Sequence, residues 1–307
     1  MIWVLVDFSF LCHRAYHAMR GLSHNDIATG VLYGFFQELK TICFDPRICS
    51  NRVTLFLDSR QSFRKQLFPA YKQKRHEEKT PEEIHQAHEL HKQMDLLEDA
   101  LPTMGFPLYR QTGLESDDLI ARTALDLTTN PITPIDDLRG VMVTADGDLY
   151  QCITEHVHWF DPGRNVWLDM EGLRAKKGID AYHWGGVKAL AGCHTDGVPG
   201  VPGIGEKTAI DYLNGNRVKS TKRQDAINSP EGLAIVVRNL ELVCLPHNKT
   251  KHFDLKMPSY DIGAFVDFCK TNGVESYLEG PRWEEWQRFF RGKMVTWPQP
   301  RKRGTLL

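Results

Sequence analysis

Three short apolar runs along this chain each end on an aspartate. Ile2-Trp3-Val4-Leu5-Val6 leads into Asp7, and Val53-Thr54-Leu55-Phe56-Leu57 leads into Asp58. Val141-Met142-Val143-Thr144-Ala145 leads into Asp146, with Asp148 two residues on. Runs of this length, continuously apolar and rich in β-branched residues, predict strands of a parallel sheet buried on both faces. A further extended segment is expected over 157–160. Apolar stripes at helical spacing alternate with these runs. Val31, Phe35, Leu39 and Ile42 predict a helix over 30–42. Leu119, Ile120, Ala121, Ala124 and Leu125 predict another over 114–127. Between them, Thr80 as N-cap, Pro81 at the first position and Glu83 at the third form a capping-box signature. Ile84, Ala87, Met94, Leu97 and Leu101 continue that helix as its buried stripe. Glycine and proline at the density of 192–205 exclude a long regular element there. Gly203-Ile204-Gly205, followed by Glu206-Lys207-Thr208-Ala209, reads as a tight turn entering a helix. Beyond residue 210 the chain is expected to be mainly helical. The pattern as a whole predicts an α/β protein with a mostly parallel central sheet flanked by helices.

The strand ends change the picture from fold to chemistry. In an open parallel sheet the strand C-termini share one edge, and ligands bind in the crevice outside it. Glu115, Asp117 and Asp118 open the 114–127 helix. Acids favour a helix N-terminus because the macrodipole is positive there, which is the plain reading of these three. Three aspartate-terminated strands beside that helix start crowd at least six carboxylates into one crevice. Bare carboxylates repel one another, and burial raises their pKa values. A divalent cation held by oxygen ligands removes both difficulties, so a metal site is expected.

Composition adds limits. At 307 residues the chain can bury a substantial core in one large domain or two. Its net charge of −1 lacks the basic excess usual in a nucleic-acid binder, although a cluster of acids would mask a basic surface in the sum. Seven scattered cysteines without metal-type pairs read as reduced thiols of a cytoplasmic protein. No apolar run approaches membrane-spanning length and no signal peptide is expected. Residues 59–75 carry Arg60, Arg64, Lys65, Lys72, Lys74 and Arg75 interleaved with Phe63, Phe68 and Tyr71. That mixture suits a nucleic-acid backbone with base stacking, or else a solvated face over packed aromatics. His24, His76, His85, His88 and His91 form no convincing metal set and read as solvated. The turn at 203–205 exposes backbone N–H groups that can hold a phosphate, with Lys207 adding charge. The basic stretch at 297–303 reads as a loosely held, solvated terminus.

In order, these stretches resemble the 5′ nucleases, the family of bacteriophage and bacterial flap endonucleases and of the 5′-nuclease domain of DNA polymerase I. The likeness covers roughly residues 2–212. Leu5-Val6-Asp7 and Arg14-Ala15-Tyr16-His17-Ala18 resemble the family's opening. Ser62-Phe63-Arg64 with Tyr71-Lys72 resembles the base of its helical arch, an insertion over about 60–100. Leu114-Glu115-Ser116-Asp117-Asp118 resembles its Glu-x-Asp-Asp motif, and Thr144-Ala145-Asp146-Gly147-Asp148 its Thr-x-Asp-x-Asp motif. Gly200 to Ala209 resembles its DNA-binding, helix-hairpin-helix-like turn. With no polymerase domain following, a free-standing nuclease like the phage enzymes is expected.

The resemblance implies an α/β nuclease core over 1–188 and a helical DNA-binding region with a basic tail over 189–307. It implies two divalent ions, usually Mg²⁺ with Mn²⁺ as a substitute. Asp7, Asp58, Glu115 and Asp117 would hold the first; Asp118, Asp146, Asp148 and Asp196 would serve the second, some through water. Lys72 and Arg75 match the family's scissile-phosphate contacts. Arg14, Arg64, Tyr71, Gly203, Gly205 and Lys207 complete the implied DNA contacts, with K⁺ on backbone carbonyls of the 198–205 turn. The implied activity is 5′→3′ exonuclease and 5′-flap endonuclease. Its substrates would be DNA flaps, ends, nicks or gaps, with RNA–DNA hybrids among them. The enzyme would act as a monomer in a bacterial or phage-infected cell. Two positions depart from the family pattern. Phe8 stands where a small residue is usual and is expected to crowd the site. Cys193 stands where an aspartate is common, and a thiol is a poor ligand for Mg²⁺, so the second site is one carboxylate short. A structure-specific DNA-binding protein with weakened catalysis is therefore the alternative. A metal-dependent phosphotransferase or primase-type domain is a third reading, and it leaves the arch and the glycine-rich turn unexplained.

Overall fold

The computed structural model describes residues 2–73, 80–129, 138–216 and 220–294. Its central sheet has six strands: β1 (Trp3–Asp7), β4 (Arg52–Phe56), β5 (Leu108–Tyr109), β6 (Gly140–Val143), β7 (Val157–Asp161) and β8 (Val166–Leu168). Two short hairpins lie outside it, formed by β2 (Ser23–His24) with β3 (Ile27–Ala28) and by β9 (Gly192–Cys193) with β10 (Val198–Pro199). The order across the main sheet is β5-β4-β1-β6-β7-β8, and only β8 runs antiparallel to its neighbour. β1 sits at the centre. Its Trp3 is paired with Arg52 on one side and Gly140 on the other, and Asp7 pairs with Phe56. The chain leaves β1 toward β4 and returns to β1's other flank as β6, which makes this the topological switch of the sheet.

Twelve helices surround it among the described residues. The first five are α1 (Phe8–Ala18), α2 (Gly30–Cys43), α3 (Phe63–Leu67), α4 (Pro81–Thr103) and α5 (Ser116–Thr129). Then come α6 (Met170–Lys177), α7 (Trp184–Ala191), α8 (Glu206–Leu213), α9 (Thr221–Asn228), α10 (Pro230–Val243), α11 (Ile262–Thr271) and α12 (Gly280–Phe290). The α4 capping box forms as its sequence predicts. The Thr80 hydroxyl accepts from Glu83 N at 3.2 Å, and Thr80 N donates back to Glu83 Oε2 at 2.7 Å.

Side chains alternate across each strand, so each of the central strands feeds two cores. Val4, Val6, Val53, Leu55, Val141 and Val143 face a layer built from α1, α2, α4, α11 and α12. Leu5, Phe56, Met142, Val157 and Trp159 face the opposite layer, which includes α5 and α7. The expected division near residue 188 does not coincide with a break in packing. Phe265, Trp286 and Phe289, from the last two helices, are buried in the same core as Val4 and Phe35. The reason is that α11 and α12 carry large aromatics that need a deep apolar seat. Phe8 is buried among that layer too, 5.7 Å from the ring of Phe35, and so does not crowd the acidic edge. Arg75 and the basic stretch at 297–303 lie outside the described residues.

Candidate metal centre and nucleic-acid interface

The C-terminal edge of the sheet gathers the acids. Asp7 ends β1 and also caps α1, its Oδ1 accepting from Phe10 N at 3.1 Å. Asp58 lies two residues beyond β4, where its Oδ1 accepts from Ser116 N at 2.9 Å and its Oδ2 from the Ser9 hydroxyl at 3.0 Å. A carboxylate is favoured there because Ser116 N belongs to the exposed donors of the α5 N-terminus. Asp146 follows β6 and caps the short helical turn Gly147–Cys152 through Asp148 N at 2.8 Å. Asp117 stands on the first turn of α5, and its Oδ1 is buried without a hydrogen-bond partner among the described residues.

The pKa shifts record how closely these groups crowd. Burial first, then the charges of Asp58 and Asp146, raise Asp7 to about 7. Burial and the charges of Asp146 and Asp7 push Asp117 well above the ordinary carboxylate range. Asp146, the most open of the three at the lip of the crevice, is also raised, by loss of solvent on its inner side and by Asp148. An orphaned buried oxygen among mutually repelling carboxylates is the environment a hard divalent cation relieves, so these residues fit one.

A second group lies beside the first. Lys188 Nζ is 2.6 Å from Asp148 Oδ1, and Cys193 Sγ is 3.9 Å from Asp148 Oδ2. Ligand atoms of Asp148, Cys193 and Asp196 all lie within 4.8 Å of one another. The sequence alone does not single out Lys188. Its signal was a lone cation inside the apolar run Val187-Lys188-Ala189-Leu190.

Tyr71 and Lys72 join the two groups from above. The Tyr71 hydroxyl lies 3.0 Å from Glu115 Oε2 and 3.3 Å from Asp196 Oδ2. Lys72 Nζ donates to Glu115 Oε1 at 2.8 Å and lies 3.9 Å from Asp196 Oδ2. The Lys72 backbone is held at φ +55°, with its N–H on the Asp196 carbonyl at 2.8 Å. A non-glycine residue in that region is strained, and the strain is held by its neighbours.

Several residues expected at DNA or metal do other work. Arg64 is 2% exposed and grips Asp118 with two hydrogen bonds of 2.6 and 2.7 Å, while its Nε donates to the Leu242 carbonyl. Asp118 is fully buried and also accepts from His247 N and Glu115 N. Burial alone would raise this carboxyl, but Arg64 outweighs it and holds Asp118 below its ordinary range. With both oxygens occupied, Asp118 turns away from the crevice, and Arg64 cannot reach a nucleic acid. Tyr71 is likewise buried, with its hydroxyl between Glu115 and Asp196, and is no stacking platform. Arg14 is half-buried against Glu38 at 3.0 Å. Arg64→Ala is therefore expected to cost about 3–5 kcal/mol in urea unfolding, because Asp118 is left charged and unpaired. Unchanged stability with weakened DNA binding would reverse this reading.

The glycine-rich turn lies past the second group. Residues from Ala191 to Gly205 line a groove of about 580 Å³ that includes His194. Gly203 takes φ +77°, and Gly205 precedes α8 as its N-cap. A Cβ at either would meet no atom within 4 Å, so both open onto free surface. Lys207 is exposed on the first turn of α8.

The chain is similar in sequence and fold to known proteins. DNA polymerase I of Mycobacterium bovis is 30% identical over 257 residues, covering 79% of this chain and 27% of the polymerase. The chain thus spans about a quarter of the length of that relative. A protein named 5′-3′ exonuclease from Buchnera aphidicola is 24% identical over 266 residues, 86% of this chain and 83% of its own. The bacteriophage T5 D15 flap endonuclease, solved as a pseudo-enzyme-product complex with DNA and metal ions, superposes with a TM-score of 0.65. That likeness is 20% identical and covers 80% of this chain and 90% of the phage protein, which supports the fold. Residues 2–178 match the family described as 5′-3′ exonuclease, N-terminal resolvase-like domain. That stretch contains the strand-end aspartates and the acidic start of α5, and on these grounds the chain belongs to the 5′-3′ exonuclease family.

Proposed function

We propose that the protein is a divalent-metal-dependent 5′→3′ exonuclease and 5′-flap endonuclease that hydrolyses phosphodiester bonds of DNA during replication. The observation that carries this is the convergence of Asp7, Asp58, Glu115, Asp117, Asp146, Asp148 and Asp196 at one sheet edge, beneath Lys72. Asp7, Asp58, Glu115 and Asp117 would hold a first ion, and Asp146, Asp148 and Asp196 would serve a second. Bound there, the ions would activate water and stabilise the leaving oxygen of an in-line displacement. The all-oxygen first group favours Mg²⁺, with Mn²⁺ as a substitute.

The chain's own residues supply position and charge. Lys72, held rigidly by Tyr71 and Asp196, would place its ammonium on a non-bridging oxygen of the scissile phosphate. The 198–205 turn would hold phosphates of the downstream duplex through backbone N–H groups, with Lys207 adding charge and K⁺ on its carbonyls. Flaps, ends, nicks and gaps are the proposed substrates, RNA–DNA hybrids included. The proposed acting form is a monomer. The seven free thiols suit the reducing cytoplasm of a bacterial or phage-infected cell.

Product mapping on a 5′-flap duplex, with Mg²⁺ and then with EDTA, tests the reading. Cleavage at or near the flap junction that EDTA abolishes is expected; binding without cleavage in Mg²⁺ and Mn²⁺ would reject it. The phosphate clip has its own test. Gly205 has an ordinary φ of −102° and room for a side chain, so Gly205→Leu should fold normally. It is expected to weaken flap-duplex affinity roughly tenfold by blocking close backbone approach, while hydrolysis of very short single strands persists. Unaltered duplex affinity would remove the turn from the interface.

A further inference from the structure

The second acidic group is not made of oxygen alone. Cys193 sits in β9, where its pairing with Val198 on β10 sets the backbone. The side chain is 5% exposed, and its Sγ lies 3.9 Å from Asp148 Oδ2 and 3.2 Å from the Thr195 hydroxyl. Apolar neighbours that include Tyr71, Val198 and Leu242 close its other side. The thiol is therefore held at the edge of the acidic crevice, with one face on carboxylates and the other in the core. Lys188, already on Asp148, adds a fixed positive charge. Compared with three carboxylates, this group offers less negative charge and one soft donor.

We propose that Cys193 is a ligand-position thiol that makes the Asp148–Cys193–Asp196 group a subsite for thiophilic divalent ions such as Co²⁺, Zn²⁺ or Cd²⁺, in preference to Mg²⁺. The inference rests on the nuclease reading only in taking this group as part of the same metal centre. On binding, the ion accepts an electron pair from sulfur, the S–H proton passes to the buffer, and Asp148 and Asp196 contribute oxygens. No redox change is involved. Soft ions gain a thiolate bond that Mg²⁺ does not value, whereas fewer charged oxygens weaken the hold on Mg²⁺.

Titration of the full chain with Co²⁺ alone, read by absorption, tests this without any turnover. One equivalent is expected to produce a sulfur-to-cobalt charge-transfer band in the near ultraviolet. The band should vanish in Cys193→Ser while thermal unfolding stays close to that of the parent. Cys193→Asp should abolish the band as well, and should lower the Mg²⁺ concentration for half-maximal flap cleavage roughly tenfold, because it restores a charged oxygen. A band that persists in Cys193→Ser would point to Cys49 or Cys244, the two less buried thiols, and overturn the proposal. So would the absence of any band at saturating Co²⁺. If the parent chain cleaves no flap in Mg²⁺ or Mn²⁺, the nuclease reading fails, and the absorption result still decides the role of Cys193.

Discussion

Asp117→Ala is expected to lower single-turnover flap cleavage by about 10³-fold or more while leaving duplex affinity nearly intact. Asp117 sits where Asp7, Asp146 and Glu115 all act on it, with one buried oxygen that nothing among the described residues satisfies. Removing it takes away a proposed ligand, a crowded carboxylate that a cation would relieve. Loss of several kcal/mol of charge stabilisation corresponds to this factor, at about 1.4 kcal/mol per tenfold. A second readout separates metal loss from damage to the fold. The parent chain without metal carries the repulsion that raises Asp7 and Asp117, so Mg²⁺ should raise its melting temperature by linkage. In Asp117→Ala that rise should shrink, while the metal-free form melts no lower than the parent, since a crowded buried charge has gone. Near-normal turnover in Mg²⁺ would remove Asp117 from the centre.

Lys72→Ala is expected to slow cleavage at saturating enzyme by about 10²–10³-fold, with a much smaller change in affinity. That is the scale of losing one preorganised donor aimed at developing charge. Preorganisation is visible in the backbone. At φ +55°, tied to the Asp196 carbonyl, and beside a tyrosine that bridges Glu115 and Asp196, Lys72 has little freedom to search for a phosphate. Alanine keeps the Cβ and the same backbone cost, so the substitution tests the ammonium alone. Quench-flow rates beside equilibrium binding give the comparison. If affinity falls and the single-turnover rate does not, Lys72 is a phosphate anchor with no part in the chemical step.

Much of this protein is legible in its sequence because the signals are local. Continuous apolar runs predict β1, β4 and β6, a further extended segment predicts β7, and the aspartates at or just after the first three mark the sheet edge. Thr80, Pro81 and Glu83 start α4 through bonds that span three residues. Cys193 stands where a carboxylate is expected, and the structure sets its sulfur 3.9 Å from Asp148 Oδ2. The tertiary structure decided what the neighbouring acids do. Asp117 and Asp118 are adjacent, and an α-helix turns about 100° between them. Asp117 therefore faces the crevice, and Asp118 faces the interior, where Arg64 meets it from 54 positions away. The same long-range pairing buries Arg64, which on sequence alone belonged to a basic, nucleic-acid-facing stretch. Tyr71 differs for a related reason, since its hydroxyl lies between two carboxylates from different segments. Lys188 became visible only when α7 brought it to Asp148. Residue type and spacing determine that charge gathers at this edge. Which charges stay open to a metal and which neutralise one another depends on partners that only folding brings within hydrogen-bond distance.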